Sequence, residues 1–128
     1  MIKFAARNPW YTANNIRHLS RVKKAMDLYR AAYPICEYTQ HAKWKVQVHH
    51  WLPVKHYPQY AASLWNFYSL AGTGAIHLAV GHNGNYKTIA YDLPELILKR
   101  RGPAWLEARQ DFLKFHNSIM PQELLNHA

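Results

Sequence analysis

Apolar positions along the chain change period several times, and each change predicts an element. Across residues 14–33, Ile16, Leu19, Val22, Met26, Tyr29 and Tyr33 recur every three or four positions. That spacing predicts an amphipathic helix, with Asn14 or Asn15 as its cap and Pro34 as its stop. Short apolar segments at 35–38 and 44–50 flank a polar stretch and predict a hairpin turning at 39–43. Val46, Val48, Trp51, Leu52 and Val54 extend the second segment as a strand with a break at Pro53. Another short apolar strand is expected at 67–70, after which Gly72, Thr73 and Gly74 turn the chain into a helical turn over 75–82. Asp92 and Pro94 then open a helix over 95–101 that Gly102 closes, and Pro103 starts a last helix running to about residue 117. Before all of these, residues 1–11 read as an irregular arm with Trp10 and Tyr11 as anchors. The expected class is α+β: one domain, a core at about 44–90, and helical extensions at 14–33 and 92–127.

Composition agrees with a folded domain, since 49% of the 128 residues are apolar and 14% aromatic. One cysteine, Cys36, excludes an internal disulfide framework and fits a reducing compartment. The chain has no apolar run near twenty residues and no signal-peptide core at its start, so a cytoplasmic protein without a membrane span is expected. Charge adds more: the net formal charge is +9, and residues 1–90 hold eleven Lys and Arg against Asp27 and Glu37 alone. Such a field attracts polyanions, duplex DNA foremost, with binding that weakens steeply in salt. Charge that merely keeps a small protein soluble is the alternative. The polar face of the 14–33 helix carries Arg17, Arg21, Lys23, Lys24 and Arg30. It reads either as a face lying along phosphates, with Arg21 and Lys24 in contact, or as a solvated face.

The candidate chemistry lies in residues 46–87, which contain His49, His50, Asn66, His77 and His82. Neighbours on a strand point to opposite faces, so His49 and His50 are expected to share a cavity only if the strand bends or bulges there. His77 and His82 are five apart, about 140° out of phase on an α-helix. One metal can take both only if the helix ends or loosens near Gly81. His56 and the scattered His18, His41, His116 and His127 have no partner at ligand spacing and read as surface residues.

The order His49-His50, Asn66, His77, His82 resembles the HNH endonucleases, with their ββα-metal core. Cys36, Val48, Pro53, Tyr57-Pro58 and the run at 77–87 bring it nearest to small phage and prophage members, over about residues 33–90. The resemblance implies that His50 is the general base that activates water. It implies that His49, His77 and His82 are metal ligands, and that Asn66 braces the loop. It would also put Lys87 at a phosphate, a solvated lysine being the alternative, and the site against the minor-groove side of duplex DNA; Lys55 is a further candidate contact to the nucleic-acid backbone. The implied cofactor is one divalent ion. A set of neutral imidazoles without a carboxylate leans toward Zn²⁺, Ni²⁺ or Mn²⁺, and cellular availability keeps Mg²⁺ a candidate.

Two departures stand out. Relatives often hold a structural zinc with paired cysteines, whereas Thr39 and Ile76 stand where partners of Cys36 would be. Packing by Tyr38, Trp44 and Trp65 is expected to replace it. Tyr86 occupies a tryptophan position. The expected activity is metal-dependent nicking of DNA with low sequence specificity. Alternatives are a non-catalytic DNA-binding accessory protein, a structural zinc module, and RNA as substrate. Five of the seven acids fall from Asp92 onward. The C-terminal part is therefore expected to pack on the domain or on a second copy, as in a homodimer.

Overall fold

The computed structural model describes residues 13–41, 45–72, 76–82 and 88–127. The arm at 1–11, Trp44, and Lys87 with its turn lie outside the described residues. Two short helices, α1 (Ala13–Arg17) and α2 (Ser20–Ala32), lead to strand β1 (Val46–His50) and, after a long loop, to β2 (Phe67–Ala71). A π-helical turn (His77–Gly81) follows, and helices α3 (Leu93–Arg101) and α4 (Pro103–Phe115) come after it. Single 3₁₀ turns punctuate the loops at Pro58–Tyr60, Leu64–Asn66 and Gln122–His127. The architecture is thus mixed helix around a small antiparallel sheet, as the changing period of the sequence predicts.

The expected N-terminal helix is interrupted. Leu19 is extended, with φ −64° and ψ 140°, so the chain leaves α1 at Arg17 and re-enters a helix at Ser20. The break has a packing reason: Ile16 and Val22, both fully buried, meet Val54 and Ala61 of the β1–β2 loop in one small core. Pro34 follows α2 closely, as expected.

The strand pairing also differs from expectation. Among the described residues, 35–38 form no strand. They turn tightly, with the Gln40 amide donating to the Cys36 carbonyl, and touch the sheet at Ser69, whose carbonyl accepts the Glu37 amide at 2.8 Å and whose amide donates to Glu37 Oε2. The partner of β1 is β2, in unbroken register from Val46 opposite Ala71 to His50 opposite Phe67. β1 ends at His50, before Pro53. β2 is buried along its whole length, which explains why Phe67-Tyr68-Ser69-Leu70-Ala71 reads as a continuous apolar run rather than an alternating one.

The main core joins Trp51, Leu52, Trp65, Tyr68 and Leu70 with Leu93, Ile97, Trp105 and Leu124, so the C-terminal helices pack on the domain that carries the strands. Trp65 lies in this core and Tyr38 packs against it, as expected of them. Cys36 is buried there too, its sulfur accepting the Thr39 amide at 3.4 Å. Gly102 separates α3 from α4 at φ +88°, a conformation that favours glycine.

A second buried layer is polar. Arg109 of α4 donates to the carbonyls of Phe67 and Trp65 at 3.0 and 2.8 Å and to the Tyr29 hydroxyl at 2.5 Å. Tyr29 donates in turn to Glu37 Oε2, which also accepts the Ser69 amide, while Trp105 Nε1 donates to Oε1. The guanidinium lies 4.0 Å over the Tyr68 ring. Burial holds the Tyr29 hydroxyl well above its ordinary range and keeps its proton available to Glu37. Burial opposes the charge on Arg109, but Tyr29, Tyr68 and Glu37 around it more than offset that and raise its pKa. This network clamps α2, the 36–40 turn, β2 and α4 together.

Candidate metal and hydrolytic site

β1 and the π turn bring three histidines together. The ligand nitrogens of His49, His77 and His82 all lie within 4.8 Å of one another. Their ring centroids are 4.7 to 5.0 Å apart, a near-equilateral triangle. The five-residue spacing of His77 and His82 is reconciled by the winding of the helix itself. A π turn closes its hydrogen bonds on i+5 rather than i+4, which brings residues five apart close to one face. Gly81 permits the close packing: a Cβ there would stand 3.1 Å from His77 Cδ2 and Leu70 Cδ1 and 3.3 Å from His49 Cε1.

Hydrogen bonds around the triangle set the tautomers. His77 Nδ1 meets Gln47 Oε1 at 2.7 Å, and His82 Nδ1 meets the Thr88 carbonyl at 3.3 Å. Both oxygens accept, so each Nδ1 donates and each Nε2 keeps its lone pair for the cluster, the pattern that orients metal-binding imidazoles. His49 Nδ1 sits 3.0 Å from His77 Nε2 and donates to it, while His49 Nε2 is buried with no partner. Burial first, then the neighbouring histidines, holds the pKa of His49 well below its ordinary value; burial and His82 lower that of His77. The cluster would suit a divalent ion once His49 carries its proton on the unpartnered Nε2, so that His49 Nδ1 and the Nε2 atoms of His77 and His82 all offer lone pairs. Nitrogen bonds of about 2.0–2.1 Å put the ligand atoms of a tetrahedral ion roughly 3.3 Å apart.

His50 points to the other face of β1. Its Nε2 lies 2.8 Å from the Ala61 carbonyl and must donate to it, so Nδ1 carries the lone pair. Burial lowers its pKa, opposed by the Ala61 bond and helped by the positive charge of Arg17. A bulge is not what lets His49 and His50 share a cavity, because the ladder runs unbroken through both. Instead β1 is an edge strand, and one cleft of about 670 Å³ wraps around its end. His49, His50, His77 and His82 all line it, together with Arg17, Lys55 and His56.

Asn66 stands outside that cleft, fully buried at the foot of β2. Its Oδ1 accepts the Leu52 amide at 2.8 Å, and its Nδ2 donates to Leu52 O and Tyr60 O at 3.0 and 3.3 Å. Its own carbonyl accepts the Trp51 amide. It therefore fixes the loop that leaves His50 and returns as Ala61, and acts on the site by positioning rather than by contact.

Of the expected backbone contacts, Lys55 lines the cleft, whereas Arg21 and Lys24 are exposed on α2 away from its lining. Lys87 is outside the described residues. His56, read as a surface residue, is exposed but stands at the cleft. Sequence reasoning missed Gln47, Arg17 and the carbonyls of Thr88 and Ala61. Gln47 was findable, since it lies two residues before His49 on the same strand face; Arg17 depends on the break at Leu19. No known protein family, curated protein or solved structure matches this chain.

Proposed function

We propose that this protein is a metal-dependent endonuclease of the HNH type, with β1, β2 and the π turn as its ββα-metal core. The observation that carries the reading is one cleft that joins a three-imidazole cluster to a fourth imidazole of fixed, different tautomer. His49, His77 and His82 would hold a divalent ion; such an ion stabilises the charge that builds on the oxygen leaving a phosphodiester. His50 has the separate task of taking a proton. Its Nε2–H is tied to Ala61 O, its Nδ1 lone pair accepts the proton of an attacking water, and burial keeps it neutral near pH 7. Asn66 keeps Ala61 and His50 in that relation. Gln47 and Thr88 keep the lone pairs of His77 and His82 turned inward.

The basic charge of residues 1–90 supports a nucleic acid as substrate, duplex DNA first. A single site cuts one strand, so nicking is the expected product; a double-strand break would take a second copy. No described helix is long and apolar enough to cross a membrane. The test is supercoiled plasmid incubated with EDTA or with Mg²⁺, Mn²⁺, Ni²⁺ or Zn²⁺ added singly. Nicking that needs an ion supports the reading. Salt-sensitive retention of the plasmid without cleavage by any ion would replace it with a DNA-binding accessory protein.

A further inference from the structure

The cleft holds two cations that the hydrolytic reading does not use. Arg17 and Lys55 both line it, and neither makes a hydrogen bond or ion pair among the described residues. Among the described residues no carboxylate lines the same cleft. Two cations beside neutral imidazoles give the cleft a positive potential that favours an anion.

Arg17 is held there by the fold. The residue before it, Ile16, is fully buried against Val54 and Ala61, the same loop whose Ala61 carbonyl binds His50. The chain then turns at once, with the amides of His18 and Leu19 donating to Asn15 O and Ile16 O, before α2 begins. The break between α1 and α2 thus fixes the end of α1 beside the His50 loop. Arginine suits the place, because its planar fork binds phosphate oxygens in pairs.

We propose that Arg17, assisted by Lys55, is the phosphate-binding arm of this cleft and grips the phosphodiester that His50 and the histidine cluster act on. This rests on the hydrolytic reading for its role, but the anion site itself stands on the geometry alone. Arg17 would touch a non-bridging oxygen of the scissile group, unlike Arg21 and Lys24, which lie outside the cleft.

Two measurements separate this inference from the reading beneath it. The first titrates metal-free protein with thymidine 3′,5′-bisphosphate, followed by nuclear magnetic resonance of the histidine rings and the arginine side chains. Wild type is expected to bind with shifts at His50 and Arg17. Arg17→Gln should lose on the order of tenfold to a hundredfold in affinity, the cost of a hydrogen bond to a charged group, with Arg17→Lys intermediate. The second follows hydrolysis of thymidine 5′-(p-nitrophenyl) phosphate, a substrate small enough to stay within the cleft and away from Arg21 and Lys24, with plasmid nicking alongside. Arg17→Gln should lower kcat/KM on both substrates, and Arg21→Gln only on plasmid. Bisphosphate binding unchanged in Arg17→Gln, or absent from wild type while plasmid is still nicked, overturns the arm and leaves the nuclease intact. Arg17-dependent binding without hydrolysis of either substrate by any ion keeps the anion site and overturns the nuclease. Loss in Arg17→Gln of plasmid nicking alone, restored at low salt, would make Arg17 an outlying backbone contact and also overturns the arm.

Discussion

Two polar clusters are buried on the same small sheet, and they are built on opposite principles. Glu37, at 1% exposure, and Arg109, at 4%, are joined through Tyr29, with the Ser69 amide, Trp105 and two backbone carbonyls completing their side-chain bonds. His49, also at 4%, sits among like groups, with Nε2 unpartnered and its protonated form disfavoured by burial and the neighbouring imidazoles, against a bond to the Gly81 backbone that favours it. Burying a polar group costs free energy unless it is paired. The charged groups of the first cluster meet that requirement within the chain, and only the Ser69 hydroxyl beside them has no partner among the described residues. The second does not: His49 Nε2 has no partner among the described residues, while Nδ1 is the nitrogen that meets His77. A satisfied buried network is a fastening; an unsatisfied one of matched donors is a place kept for a ligand.

The largest effect should come from breaking the fastening. Arg109→Met leaves Glu37 and Tyr29 buried without their cation and should cost about 3–5 kcal/mol, a large share of the stability of a small domain. Urea denaturation of the metal-free protein reads it directly. His77→Ala, at a half-buried position, should cost far less in the same assay. If the two substitutions cost the same, the distinction between fastening and ligand site is wrong.

The next effect needs an ion. At a concentration a hundred times its dissociation constant, a bound ion adds about 2.7 kcal/mol to folding stability. Zn²⁺ or Ni²⁺ should shift the unfolding midpoint of wild type accordingly, and the shift should vanish in His77→Ala and His82→Ala. Persistence of the shift in both variants would place the ion elsewhere.

Smaller still is the response to acid. His49 and His77 have folded-state pKa values below the ordinary value of about 6.5, so the unfolded chain binds more protons once pH falls toward that value. Their contribution is complete above about pH 6.5 and is lost as pH falls from there through the folded-state values. Metal-free protein should lose stability in that window and the ion-bound protein should release its ion there, whereas His49→Asn should flatten the stability profile. A flat wild-type profile between pH 7 and 5 would contradict the assigned environment. Gly81→Ala should do least, a few-fold loss of ion affinity with a stability change under about 1 kcal/mol, as His77, His49 and Leu70 give by a few tenths of an ångström.

Much of this was legible in the chain, for identifiable reasons. The candidate site could be read because rare residues occur in order, and because Gly81 marks where the helix carrying His77 must loosen. The π turn is the form that loosening takes. The C-terminal helices were legible from Pro94, Gly102 and Pro103, which punctuate backbone locally. The pairing of β1 was not legible. Residues 35–38 look as apolar as a strand, and only the burial of β2 on all sides, with Glu37 turned under it, decides for Phe67–Ala71. The Glu37 and Arg109 network was equally hidden, since its two ends lie far apart in sequence and nothing local marks either as buried. Leu19 fits a continuous helix by period, and the break there answers to Val54 and Ala61, far along the chain.

The central claim is that one cleft divides two tasks, ion binding by His49, His77 and His82 and proton transfer by His50. His50→Ala tests it most directly, with ion affinity measured by calorimetry and nicking of supercoiled plasmid measured on the same preparation. Ion affinity should stay within a few-fold of wild type while nicking falls by about 10²–10⁴. Nicking at the wild-type rate would remove His50 from the chemistry, and loss of the ion along with the activity would show that the two tasks are not divided as the geometry implies.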